Sequence, residues 1–312
     1  MGEVAGGTVL PCRLHSSCFT SEGLGGLDCD CVTQLDRALH EIAKKGRGIV
    51  FYLLQEGRGA GLRAKIRDRE IVQESNGTID TFGAYAKLGL KSDPRTYSLI
   101  KAMCADLGVP PALRLMTNNP AKVAALGAAG IDVERVEHSL PASDFNGAYL
   151  DSKARYGHAL ALSNGGRARA PAMLEAADPK LEAVGRFQRV ASYSIPMSVG
   201  NTSVWFRATA YSEPSSGHDR VVLSYRTAAE SGHELRHVYR ENLYERFVEG
   251  ERKARYRAAV ERIVSQGAGS VLAIPADADL LSEQVGPTEA EDGALLEAHG
   301  AALGAKTWDE LT

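Results

Sequence analysis

The stretch from Arg13 to Cys31, Arg-Leu-His-Ser-Ser-Cys-Phe-Thr-Ser-Glu-Gly-Leu-Gly-Gly-Leu-Asp-Cys-Asp-Cys, constrains this chain more than any other. Cys18, Cys29 and Cys31 sit around a glycine-rich turn, directly behind an Arg-x-His-Ser segment. Three thiolates with no fourth protein ligand close by in sequence would leave one tetrahedral position for water, the arrangement of a catalytic zinc site. The paired Cys-x-x-Cys of structural zinc sites is missing, and ordinary free thiols are the other reading. All five cysteines, with Cys12 and Cys104, fall in the first third. An odd, clustered set points away from a disulfide framework and towards metal or thiol chemistry. Cys12 reads as a strand residue and Cys104 as core.

At 312 residues the chain has room for two domains. A formal charge of −3 argues against a general nucleic-acid binder or a membrane-surface protein, and leaves room for a local basic cleft. No apolar run approaches the roughly 18 residues that span a bilayer, and no basic-then-apolar leader follows Met1, so a cytoplasmic protein is expected.

Strands and helices alternate through the first half, which reads as α/β. Val9 to Leu14 is a short strand. Gln34 to Lys45 carries Leu35, Ala38, Leu39 and Ile42 at helical spacing, stopped by Gly46. Gly48 to Leu54 is a buried strand ending in Gln55-Glu-Gly-Arg58-Gly-Ala-Gly61, where glycines let the backbone approach a ligand and Arg58 could grip a phosphate. A solvated arginine on a flexible turn is the alternative. Leu62 to Glu74 is a charge-rich helix. Ser92 or Asp93 caps a further helix with Pro94 in its first turn. Leu113 to Met116 is a strand. Thr117-Asn-Asn-Pro-Ala-Lys122 opens a helix whose N-terminus is either an anion cradle or a plain Asn119 cap beside a solvated Lys122.

Taken together and in order, Arg13-Leu-His-Ser, Cys18, Cys29-Asp-Cys31, Gln34-Leu, Gly46-Arg-Gly, Gln55-Glu-Gly-Arg58, Asp93-Pro-Arg95, Thr117-Asn-Asn-Pro, Lys122-Val, Tyr149-Leu-Asp-Ser-Lys153 and Gly157-His158 closely resemble GTP cyclohydrolase II. This is the zinc enzyme that opens the imidazole ring of GTP at the start of riboflavin synthesis. The resemblance implies zinc on Cys18, Cys29 and Cys31, activating water for attack on C8 of guanine, with loss of formate and pyrophosphate. It implies Asp93 as proton acceptor and Arg95 as the group engaging the α-phosphate or acting as nucleophile. Arg13, His15, Ser16, Ser17, Gln34, Glu56, Gly57, Arg58, Thr81, Thr117 and Lys122 would line GTP or a related nucleotide. Mg2+ would accompany the triphosphate. The resemblance also allows for a homodimer.

Three departures stand against that pattern. Ser17 occupies a position where the family usually has glutamate. Arg69, in Lys65-Ile-Arg-Asp-Arg69, occupies that of the catalytic tyrosine, and Asp80-Thr-Phe-Gly-Ala-Tyr85 replaces a more polar segment. A cation in place of a phenol removes a proton donor. Ring opening that stops at an N-formyl product, or a base other than guanine in a specialised pathway, are the resulting alternatives. Arg69 as a solvated helix residue is a third. A catalytically silent nucleotide-binding homologue is the reading from another class, opposed by the retained Asp93, Arg95 and cysteines.

The second half reads differently. Residues from Ser163 to about Gly185 form a linker rich in Ala, Arg, Gly and Pro. Arg189 to Pro196, Val204 to Ala210 and Gly217 to Tyr225 are strands. Ala259 to Ile274 echoes Ala38 to Leu53 as helix, glycine turn and strand, with Ala276-Asp-Ala-Asp279 where Gln55-Glu-Gly-Arg58 stood. This is a degenerate second copy without a metal site, or a chance recurrence. It would restore the β-rich segment that family members carry ahead of Arg-x-His-Ser, or replace a partner subunit. A short helix lies around Gly293 to Leu303. The expected organisation is a catalytic core over 1–162, a linker over 163–187 and a β-rich, partly repeated segment over 188–312.

Overall fold

The computed structural model of the chain describes residues 4, 9–163, 168–171, 174, 180–227, 233–276 and 287–311. The Asp277–Asp279 part of the expected second-copy turn, and residues 164–167, 172–173 and 175–179 of the expected linker, lie outside them. The chain forms two compact units. Elements are numbered in chain order through both.

The first unit comprises Met1–Cys18, Cys29–Ala60 and Leu90–Ala168. Four parallel strands, β1 (Leu10–Ser16), β2 (Ile49–Leu53), β3 (Ala112–Met116) and β4 (Asp132–Val136), lie in the order β2-β1-β3-β4. Alternation along β1 sends Leu10, Cys12 and Leu14 into a core with Phe51, Ile100, Leu113, Leu115 and Leu126, and sets Arg13 and His15 on the opposite face. Each such fully buried aliphatic contributes about 1.5–3 kcal/mol. Helix α1 (Cys31–Lys44) packs Ala38 and Ile42 against Met116. It begins three residues earlier than its apolar spacing predicts, on the last cysteine itself.

The helix predicted at Asp93 is a correction. Residues 92–97 are not helical, and α4 starts only at Leu99 (Leu99–Asp106). The Asp93 carboxylate is spent on Arg95, whose backbone N–H reaches Oδ1 at 3.2 Å, so the aspartate forms a local turn instead of capping a helix. Asn119 is a true cap: its Oδ1 accepts Ala121 N at 2.9 Å, with Pro120 opening α5 (Pro120–Ala128). Helix α6 (Gly147–Arg155) completes the unit.

The second unit gathers Phe19–Asp28, Gly61–Gly89 and Arg169–Thr312. Its sheet runs β11-β9-β10-β8-β7-β6-β5, with β5 (Ala183–Val184), β6 (Phe187–Val199), β7 (Thr202–Ser212), β8 (Asp219–Arg226), β9 (His233–Arg240), β10 (Ala268–Ile274) and β11 (Thr307–Glu310). One face packs with α2 (Gly61–Glu74) and α7 (Glu251–Gln266): Leu62 and Ile66 of α2, Tyr256 and Ile263 of α7, and Phe19 and Leu24 share a core with Tyr193, Ile195, Phe206, Val221, Leu223 and Val271. Helix α3 (Thr81–Lys87) is capped by Asp80, which accepts Phe82 N at 3.1 Å and Gly83 N at 2.9 Å. Helix α8 (Glu289–Ala302), longer than the short helix expected there, covers Tyr211, Val222 and Leu272 on the other face with Leu295 and Leu296.

The two helix–turn–strand segments both form, yet their strands differ. Among the described residues β2 is an edge strand paired only with parallel β1, whereas β10 lies between antiparallel β8 and parallel β9 and is buried throughout. No helix among the described residues is long and apolar enough to cross a membrane.

Candidate functional site

The end of β1 and the start of α1 bring Cys18, Cys29 and Cys31 together. Their sulfurs all lie within 4.8 Å of one another, with 3.7 Å between Cys18 and Cys29. A disulfide, at about 2.05 Å, is excluded for that pair. A tetrahedral ion with Zn–S bonds of about 2.3 Å spaces its ligand sulfurs about 3.8 Å apart, so the cluster has the size of a zinc site. The Cys31 thiol is pushed well up by Cys18 and Cys29, which share its proton, and by burial. The crowded Cys31 thiol resists ionisation on its own, and a divalent cation would reverse that preference. The donor set therefore fits zinc.

Arg13 projects from the middle of β1 and is fully enclosed. Its Nη1 donates to Met116 O at 2.8 Å and its Nη2 to Gln34 Oε1 on α1. Burial lowers its pKa to about 10, with Asp30 opposing, and it remains a cation at neutral pH. His15 is buried and stacks on Tyr52 at 5.6 Å. Ser16 Oγ reaches Gln55 Oε1 at 3.3 Å and receives Arg95 Nη1 at 3.3 Å. Ser17 is buried, its N–H bonded to Leu53 O at 2.8 Å and its hydroxyl without a hydrogen-bond partner among the described residues.

Gly57 and Arg58, at φ 55° and 56°, and Gly59 at 83° turn the chain after β2 through left-handed backbone. A Cβ on Gly59 would come within 3.3 Å of Arg95 Cγ, so glycine is what lets this turn lie against Arg95. Arg58 holds a conformation that costs a non-glycine residue roughly 1 kcal/mol or more. It lies 5.9 Å from the centre of the Tyr149 ring, and Glu56 Oε1 accepts Gly57 N at 2.9 Å.

Asp93 and Arg95 form a two-point pair, Nε to Oδ1 at 2.8 Å and Nη2 to Oδ2 at 2.6 Å. Burial works against the Asp93 charge, but the hydrogen bonds and charge of Arg95, and Arg58 behind it, hold its carboxyl below the usual range. Thr117 Oγ1 accepts Asn119 N at 3.1 Å. Lys122 is neither a solvated side chain nor an arm at the helix tip. It is buried, donates to Leu14 O at 2.8 Å and lies 5.6 Å from the Tyr97 ring centre. Burial, then Arg13 and Arg95, push its pKa well down.

Thr81 and Arg69 belong to the second unit. Thr81 Oγ1 donates to Asp68 Oδ2 at 2.9 Å. Arg69 is buried, which corrects the reading of a solvated helix residue, and its Nε lies 3.0 Å from Asp28 Oδ2.

Sequence reasoning passed over Asp30 and Lys153. Asp30, between two of the cysteines, accepts Lys153 Nζ at 3.0 Å and Gln34 Nε2 at 2.5 Å. Burial opposes its charge, and Lys153 and Gln34 outweigh burial and keep its pKa below the ordinary value. Asp30 thus joins the segment between Cys29 and Cys31 to α1 and α6. The signal was present in two quoted motifs, Cys29-Asp-Cys31 and Tyr149-Leu-Asp-Ser-Lys153, but nothing in either says that they meet.

A family model described as GTP cyclohydrolase II matches residues 1–138. The chain is 46% identical over 170 residues to GTP cyclohydrolase-2 of Pseudomonas aeruginosa (strain LESB58), covering 54% of this chain and 81% of that one. It is 43% identical over 162 residues to GTP cyclohydrolase-2 of Teredinibacter turnerae, covering 51% and 79%. The chain belongs to the GTP cyclohydrolase II family. It is therefore a hydrolase of the GTP cyclohydrolase II type. Ser17 and Arg69, where the sequence departs from the expected pattern, are both buried side chains.

Proposed function

We propose that the chain opens the imidazole ring of GTP by zinc-dependent hydrolysis, releasing formate and pyrophosphate and leaving a ribosylaminopyrimidinone 5′-phosphate. The observation that carries this reading is the convergence of Cys18, Cys29 and Cys31 within 4.8 Å, in the same unit as the Asp93–Arg95 pair. The relatives named GTP cyclohydrolase-2 support GTP as the nucleotide. Cys18, Cys29 and Cys31 would hold the zinc, which when bound supplies Lewis-acid activation of water.

The remaining work falls to the chain's own side chains. Arg95, oriented by Asp93 and facing Ser16, presents a planar guanidinium to the α-phosphate. Asp93, kept ionised by Arg95 and Arg58, is the carboxylate available to take a proton. Arg13, fixed between Met116 and Gln34, and the Glu56–Arg58 turn supply contacts for the nucleotide. Lys122 works from behind by holding β1 through Leu14. Mg2+ would sit on triphosphate oxygens. The shared core of residues 19–28, α2 and the β6–β10 sheet supports reading the second half as a substitute for the β-rich segment that the family carries ahead of Arg-x-His-Ser.

Arg69 favours a second reading within the same chemistry. It stands where the family resemblance puts a tyrosine and is engaged with Asp28, which leaves the proton-donor role unfilled and would let ring opening stop at the N-formyl product. The test is to incubate zinc-loaded protein with GTP and follow the ultraviolet spectrum, formate and product mass. Stoichiometric formate supports the complete reaction, and an accumulating N-formyl pyrimidine supports the second. No change with any purine or pyrimidine nucleotide sinks both and leaves a nucleotide-binding homologue.

A further inference from the structure

Asp28 is one peptide bond ahead of Cys29, and its carboxylate is largely enclosed. Neither of its oxygens takes a hydrogen bond among the described residues. A carboxylate in that condition is tolerable only beside a cation, and the Arg69 guanidinium is there, with Nε 3.0 Å from Oδ2 and side-chain exposures of 10% and 13%. The residues just before Asp28 are secured as well. Tyr256 Oη of α7 donates to Leu24 O at 2.9 Å, Ser198 N of β6 to Gly25 O at 3.2 Å, and Leu27 N to Pro196 O at 2.8 Å. Gly26 is enclosed so tightly that a Cβ would meet Thr20 O at 2.6 Å and Ile195 Cδ1 at 2.8 Å. The backbone running into the second cysteine is therefore held at every step, and its last fixed point is an ion pair.

We infer that Arg69 is a positioning residue for the cysteine centre: through Asp28 it fixes the backbone that delivers Cys29, and so sets the affinity of the three-thiolate site for its metal. The position where the family resemblance expects a proton donor has been recruited to hold a ligand loop. The physical warrant is preorganisation. Two thiols eleven positions apart bind one ion well only if the loop between them enters both at a defined place, and partners behind the ligands are worth about 10–100-fold in metal affinity. This inference rests on the zinc reading proposed above.

The experiment is a zinc titration of the full-length chain against a competing chelator, with melting temperature measured alongside. It compares wild type, Asp28→Asn, Arg69→Met, the double variant, the conservative Arg69→Lys and the reversed pair Asp28→Arg with Arg69→Asp. Each of the first two single changes is expected to weaken zinc binding about ten-fold. The double variant should be no worse than the weaker single, and Arg69→Lys should stay near wild type. Recovery of affinity in the reversed pair would support the inference further. Losses that simply add in the double variant overturn it. So does an Arg69→Met chain that binds zinc within about twofold of wild type while turnover collapses, since Arg69 then acts on substrate. Should Arg69→Met fail to fold, Asp28→Asn and Arg69→Lys still decide the matter. A wild type that binds no zinc defeats the proposed function as well, whereas a zinc-binding wild type matched by all its variants defeats this inference alone.

Discussion

In the second unit, buried arginines sit against carboxylates. Arg246 is held by Glu241 at 2.6 Å, and Arg220 by Asp292 at 2.7 Å, with Arg240 reaching the same aspartate at 3.0 Å. In the cysteine-bearing unit, cations crowd one another. Arg13 and Arg95 both push the Lys122 pKa down, and Arg13 presses on His138. Matched charges rigidify a scaffold and ask nothing from solution. Like charges gathered at one place need counter-charge, which Asp93 and Asp30 supply in part and which the proposed nucleotide and thiolates would complete.

Four substitutions would break or sharpen this contrast. The largest effect is expected from Cys31→Ser, which removes one of three donors. Zinc content by elemental analysis should fall to background, and GTP turnover should drop at least about 10³-fold, the scale on which metal-activated water outperforms bulk water. Asp292→Leu comes next and should leave the site alone. With Arg220 buried and stripped of its partner, chemical denaturation should show a loss of about 3–5 kcal/mol, with turnover per folded molecule preserved. Equal loss of turnover would mean that the scaffold's ion pairs are not merely structural.

Arg95→Met should cost about 10²-fold in kcat/KM for GTP, the scale of one charge-stabilising group at the reacting centre. Its effect on stability should be small, because Asp93 is partly solvated. The smallest effect is a pH dependence. Burial first, and Arg13 second, lower His138 from 6.5 to about 4, while its Nε2–H donates to Gln34 O at 2.8 Å. The folded state then binds fewer protons than the unfolded one between those values. The contribution of His138 is complete above pH 6.5 and is lost as pH falls towards 4. Denaturation midpoints at pH 7 and pH 5 should differ less in His138→Gln than in wild type; an unchanged difference would assign the slope to other groups, His158 among them, which is also lowered to about 4.

Much of the local structure was legible. Leu35, Ala38 and Ile42 announce α1, alternation announces β6, β7 and β8, and Asn119 before Pro120 announces α5. The departures from expectation come from side chains spent on partners, near or far, that helical patterning does not reveal. Asp93 resembles a cap but is taken by Arg95, and Lys122 resembles a solvated lysine but reaches back 108 residues to Leu14. The Asp30–Lys153 pair spans 123 residues and has no local pattern at all. β9 and β11 were missed because their charged, half-polar runs become strands only through the sheet neighbours that pair with them.

Periodicity, turn chemistry and motif order are carried by neighbours within a few residues, so the sequence alone was enough for the α/β class, for most elements of the first half and for which cysteines to consider. Whether those cysteines meet, which buried ions balance, and why residues 19–28 and 61–89 share a core with strands from the far half of the chain were decided only in three dimensions. Burial turns charge from a surface property into a demand for a specific partner, and that partner is chosen by the fold rather than by distance along the chain.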